Sequence, residues 1–133
     1  MEPTNFWSRV PKLLVPYYHF LNTYISAQAD DAQSVLRVIK QAAVEEDFVS
    51  LKLDIDTPEV EIPIVQQLVA DEALHQLVDE FFFELHFRCE IMMYCGWRDK
   101  MPAEYNGLRL DRPHAMELFS TLRKKGIRAH VWP

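Results

Sequence analysis

Apolar and polar side chains alternate through Val49, Ser50, Leu51, Lys52, Leu53 and Asp54, and this run stands between two stretches whose apolar residues recur every three or four positions. A repeat of two belongs to a strand half buried in a sheet, and a repeat of three to four to a helix with one face on a core. A chain that changes period in this way, and does so again further on, has few folds open to it. Its strands must be joined by helices, and helical crossovers produce a mostly parallel sheet.

Before the first strand, Ala32, Val35, Leu36, Ile39, Ala42 and Ala43 mark a helix over residues 30–46, with Asp30 and Asp31 placed to cap it. After the strand, which covers residues 48–54, Thr57 can cap and Pro58 suits a first helical turn. Pro63 lacks the N–H that a helix interior uses and is expected to kink or delay that helix. Leu68, Val69, Leu74 and Leu77 carry its apolar face onward. Residues 80–87 then read as a second strand, with Phe81, Phe83, Leu85 and Phe87 opposite Glu80, Phe82, Glu84 and His86.

Residues 88–110 hold Gly96, Pro102 and Gly107 and are expected to form a long loop of the kind that often carries function. A helix follows over residues 111–125, with Met116, Leu118, Phe119 and Leu122 facing inward and Gly126 ending it, and then a third strand over residues 127–132. The expected fold class is α/β, a mostly parallel sheet of about three strands with flanking helices, occupying residues 30–133. Residues 1–29 form an aromatic, proline-rich arm in which Pro3, Pro11 and Pro16 separate Phe6, Trp7, Tyr17, Tyr18 and Phe20. One short element is expected there, over residues 13–25.

The length of 133 residues suits a single domain, and 49% hydrophobic against 26% charged residues is the balance of a chain that folds. A formal charge of -6 argues against general nucleic-acid binding, which needs concentrated Lys and Arg. The basic cluster Arg123, Lys124 and Lys125 reads as a helix C-terminus meeting its dipole. Apolar runs such as Phe81-Phe82-Phe83 fall far short of the roughly 20 residues that span a bilayer. With no secretory leader read in residues 1–10, a soluble cytoplasmic or organellar location is expected. Cys89 and Cys95 are then free thiols rather than a disulfide or a zinc motif.

In an open parallel sheet, ligands bind outside the carboxyl ends of the strands. Asp54, Asp56 and His86 lie at or just beyond such ends. With an assumed register that sets Lys52 beside Glu84 and Asp54 beside His86, the first pair is most simply an ion pair fixing strand alignment. Asp54, Asp56 and His86, with Glu84, supply the oxygen and imidazole groups that bind a divalent metal. A His beside a carboxylate can instead serve as a general base. The plainer alternative gives Asp56 and Thr57 a capping role and His86 a hydrogen bond to a loop carbonyl. A phosphatase Asp-x-Asp-x-Thr loop fails because position 58 is Pro, whereas the Asp-x-Asp of metal-dependent glycosyltransferases is matched by Asp54-Ile55-Asp56.

The succession FVSLKLDID, VDEFFFELHF and AMELFSTLRKKGIRAHVW resembles the C-terminal half of the FkbM-type methyltransferases, over about residues 30–132. The resemblance rests on Lys52-Leu53-Asp54-Ile55-Asp56-Thr57, where the family reads Lys-Ile-Asp-Val-Glu-Gly, and on Phe83-Glu84-Leu85-His86. It implies a truncated Rossmann-like fold that uses S-adenosylmethionine, with Lys52, Asp54, Glu84 and His86 carried over as catalytic-site residues and Asp54 and Asp56 facing the cofactor.

Two departures qualify it. Asp56-Thr57 replaces Glu-Gly, and the glycines at 96, 107 and 126 form no glycine-rich cofactor turn, so the cofactor-binding half is missing from this sequence. The resemblance therefore implies either a degenerate relative or a half-site completed by a partner. The competing expectation is a non-catalytic binding or assembly module. In it, the aromatic arm around Trp7, Tyr17 and Tyr18 and the loop around Met92, Tyr94 and Trp97 cover an open sheet edge, on this chain, a second copy or another protein.

Overall fold

A computed structural model of the chain describes residues 8–17, 19, 21, 23–88 and 102–132. The order is α1 (Val35–Ala42), β1 (Ser50–Leu53), α2 (Pro58–Ala70), α3 (Glu72–Leu77), β2 (Glu80–Phe83), β3 (Glu104–Tyr105), β4 (Leu108–Arg109), α4 (Arg112–Lys124) and β5 (Arg128–Val131), with a single 3-10 turn at Val15–Tyr17 in the arm. The expected α/β class is observed. The expectations placed on Phe6, Trp7, Tyr18, Phe20, Cys89, Met92, Tyr94, Cys95, Gly96 and Trp97 lie outside the described residues.

The main sheet has the order β1-β2-β5, all parallel. The chain steps across it in one direction, and right-handed crossovers then put every connecting helix on the same side. Leu51, Leu53, Phe81, Phe83 and Ala129 point to that side and are buried against Ile62, Val65 and Leu68 of α2 and Ala115, Phe119 and Leu122 of α4. Phe83 and Phe119 meet at 6.4 Å between ring centroids. Each fully buried phenylalanine contributes about 1.5–3 kcal/mol, so this layer dominates stability. The opposite face carries Ser50, Lys52, Glu80, Phe82, Arg128 and His130, of which Ser50, Lys52 and Arg128 are exposed.

Several local expectations are corrected. α1 starts later than residue 30 because buried Ser34, rather than Asp30 or Asp31, accepts from the Arg37 N–H. Pro63 neither delays nor ends α2, which begins at Pro58 and runs through it. The helix instead breaks at Asp71, whose extended backbone and side-chain bond from the Ala73 N–H start α3, while the same carboxylate holds Lys40 of α1. Met116 is 52% exposed: the buried stripe of α4 runs through Ala115, Phe119 and Leu122.

The expected long loop contains a hairpin, β3 against β4, turned by Asn106 and Gly107 at φ 49° and 79°. Positive φ at both central residues is the geometry that an Asn-Gly pair favours.

Candidate functional site at the carboxyl edge

The register differs from the assumed one by two residues. Lys52 lies opposite Phe82 and Leu53 opposite Phe83. Asp79 fixes this alignment from the far end, accepting from the Val49 N–H at 2.8 Å, while the Glu80 N–H donates to the Val49 carbonyl at 3.2 Å. A slip of two keeps every side chain on its face, so alternation alone could not exclude it. Glu84 N–H donates to Leu53 O at 3.1 Å, which sets Asp54 beside Glu84 rather than beside His86.

Lys52 pairs with Asp54, just past the end of its strand, Nζ to Oδ2 at 2.6 Å, so the expected Lys52–Glu84 pair is replaced. The Asp54 and Glu84 carboxyls stand side by side and interact through a side-chain hydrogen bond. That bond, then the Lys52 ammonium, hold Asp54 below the usual carboxylate range. The same bond, with burial and the nearby Asp54 charge, raises Glu84.

Beyond β1 the chain turns through Asp56 at φ 54°, a left-handed conformation that Asp tolerates better than most residues. The turn brings Asp56 Oδ1 within 3.1 Å of His86 Nε2, and Glu84 Oε2 lies 4.0 Å from the same nitrogen. Asp56, Glu84 and His86 each offer a ligand atom within 4.8 Å of one another. Asp54, expected among the metal ligands, is instead held by Lys52 and Glu84.

One site residue was missed by sequence reasoning. Glu61, 2% exposed in the first turns of α2, accepts from the Ile55 N–H at 3.0 Å and the Thr57 N–H at 3.1 Å. It ties down both sides of Asp56. Thr57 occupies the capping position, but its hydroxyl donates to Ile55 O at 3.0 Å instead. Burial raises Glu61 despite the two N–H groups that favour its charge. An acid within the apolar run Val60, Glu61, Ile62, Pro63, Ile64, Val65 was the available signal.

On the uncovered face, the site continues into an aromatic group. Phe82 stacks on His130 at 4.7 Å and meets Trp132 edge-on at 5.9 Å, and Lys52 Nζ sits 4.2 Å from the Trp132 ring centroid. A groove of about 670 Å³ between α1 and the α2–α3 break is lined by Leu36, Lys40, Gln67, Asp71 and Leu74. It lies at the amino end of the sheet, because α2 runs back from the carboxyl edge, and it is separate from the carboxylates.

The fold and the site define an α/β protein with a short parallel sheet and an acidic carboxyl edge. No protein-family model, curated protein or solved structure matches the chain. No helix among the described residues is long and apolar enough to cross a membrane.

Proposed function

We propose that the chain is the C-terminal half of a Rossmann-like, FkbM-type methyltransferase unit that takes S-adenosylmethionine at the carboxyl edge of β1 and β2. The observation that carries this reading is the convergence of Asp54, Asp56, Glu84 and His86 at the ends of two neighbouring parallel strands, where open α/β sheets hold their ligands. Asp54, Asp56 and Glu84 gather more carboxyl groups at this edge than the single Lys52 offsets, which favours a ligand bearing positive charge, and S-adenosylmethionine carries a sulfonium and an α-ammonium group. Asp54 and Asp56 would face these charges. His86, oriented by Asp56, would take the proton of an acceptor hydroxyl, and S-adenosylmethionine, when bound, would supply the methyl group. The glycine-rich half of such a site must come from elsewhere, because preorganised contacts to a cofactor cannot be replaced by one edge of its site.

Calorimetric titration with S-adenosylmethionine tests the reading. Weak binding is expected for the wild type and none for Asp54→Asn. Absence of heat at millimolar ligand would overturn it.

The grouping of Asp56, Glu84 and His86 within 4.8 Å favours a second reading, a divalent-metal site in a metal-dependent enzyme, one that draws on Asp56 but not Asp54 of the Asp-x-Asp motif. Magnesium or manganese would then raise the melting temperature.

A further inference from the structure

We propose that Glu61 is a positioning residue of the carboxyl-edge site: by holding Ile55 and Thr57 it sets Asp56 against His86, and so selects Asp56 rather than Glu84 as the partner of the imidazole. Its consequence for ligand binding rests on the readings proposed above, both of which use Asp56 and His86.

Glu61 is the one charged residue buried among the described residues. Taking a carboxylate out of water is costly, and capping a helix does not require it. Ser, Thr, Asp or Asn at the capping position does that work from the surface. Thr57 holds that position here, and the bond from its N–H to Glu61 completes the end of α2 in the manner of a capping box. The other oxygen of Glu61 reaches further. It accepts from the Ile55 N–H at 3.0 Å, before the helix begins and on the far side of Asp56. Capping accounts for the first bond and leaves the second, whose effect falls on the turn.

That turn has one side chain to aim. Asp56 stands at φ 54°, a conformation that persists in a residue other than glycine only where its surroundings hold it. Its carboxylate, 64% exposed, meets the Nε2 of a His86 side chain that is 9% exposed, at 3.1 Å. Glu84 Oε2 lies 4.0 Å from the same nitrogen. A hydrogen bond fails beyond about 3.5 Å, so a displacement of Asp56 by roughly half an ångström ends its pairing and leaves Glu84 to compete for the ring. Two bonds from one buried side chain, one on each side of Asp56, prevent that displacement.

Long-range proton–nitrogen NMR of the full chain, with the His86 signals assigned by their loss in His86→Asn, tests this without a ligand. Asp56→Asn is expected to move the His86 Nε2 resonance. Glu61→Ala strips both N–H groups and endangers the fold, so Glu61→Gln is the informative variant. It keeps the side chain's size but offers one acceptor oxygen to two donors, and should move the resonance in the same direction, at least roughly half as far. The double variant should move it no further than Asp56→Asn alone, because Glu61 acts through Asp56. Leu74→Ala empties a buried position of α3, at the other end of the helical layer. It destabilises without touching the turn and should leave the resonance in place. Circular dichroism unchanged from wild type shows that each variant folds. An unmoved resonance in Glu61→Gln, additive shifts in the double variant, or an equal shift in Leu74→Ala would each overturn the proposal. Where manganese binds the wild type, Glu61→Gln should raise its dissociation constant roughly tenfold or more, the usual result of losing a residue that orients a ligand. A wild type that binds neither S-adenosylmethionine nor manganese would overturn the proposed function, while the resonances still decide the role of Glu61.

Discussion

Glu61 holds Ile55 in place: its buried carboxylate accepts the Ile55 N–H at 3.0 Å, and its second oxygen takes the Thr57 N–H at 3.1 Å. The left-handed turn at Asp56 is thus suspended between two bonds to one side chain. Replacing Glu61 with Ala leaves two donors without acceptors, at a cost of about 2–4 kcal/mol in urea unfolding. Glu61→Gln keeps one acceptor and should lose less. Because burial raises Glu61 in the folded chain, the unfolded chain ionises first as pH rises. This group's contribution is fullest below the ordinary glutamate range and declines until the folded group also ionises. Glu61→Gln should flatten that slope, and an unchanged slope would refute the assignment.

The interaction between Asp54 and Glu84 gives a separate signature. Asp54, lowered chiefly by its bond to Glu84, stabilises the fold above the ordinary aspartate range and loses that effect as pH falls through its folded value. Glu84, raised chiefly by the same bond, has its effect below the ordinary glutamate range and loses it as pH rises through its folded value. Carboxyl carbon NMR should show Glu84 titrating late in the wild type and nearer the ordinary range in Asp54→Asn. Ordinary titration of Glu84 in the wild type would exclude this interaction.

Metal binding separates the carboxylates by position. If manganese raises the melting temperature, Asp56→Asn and His86→Asn should abolish the rise, since both contribute to the grouped ligand atoms. Asp54→Asn should leave part of it. Loss with Asp54→Asn alone would point to a different ligand set.

Two glycines are required by backbone conformation alone. Gly107 and Gly126 have φ 79° and 97°, and a Cβ built at either meets no atom within 4 Å. Gly107→Ala and Gly126→Ala should each cost about 1 kcal/mol through the left-handed backbone, measured by chemical denaturation. Asn106→Gly, at φ 49°, should be neutral or slightly stabilising.

Sequence periodicity located β1, β2, α4 and β5, because each repeats its period across a face that is buried in fact. It could not fix their alignment. The register depends on Asp79 reaching Val49, a contact between residues 30 apart that no local pattern encodes. The same limit applied to the site: Asp54, Asp56, Glu84 and His86 were legible as residues at strand ends, but which touches which followed from the two-residue shift and the turn at Asp56. Glu61 was hidden because a charged residue in a helix normally faces water, and only the bare N–H groups of Ile55 and Thr57 explain its burial. The Asn106-Gly107 hairpin carried a local signal that the mixed composition around it obscured.

The one-way strand order also bears on how the chain folds. β2 is the only strand of the main sheet with a neighbour on either side, so neither β1 nor β5 can enter a parallel ladder before residues 80–83 are in place. Each pairing closes only the crossover next to it, which keeps the entropy of loop closure low for a parallel sheet. The Phe-rich strand is therefore the kernel on which assembly waits. Weakening Phe81 or Phe83 should slow folding itself, whereas damage at the rim of β1 or β5 should chiefly hasten unfolding.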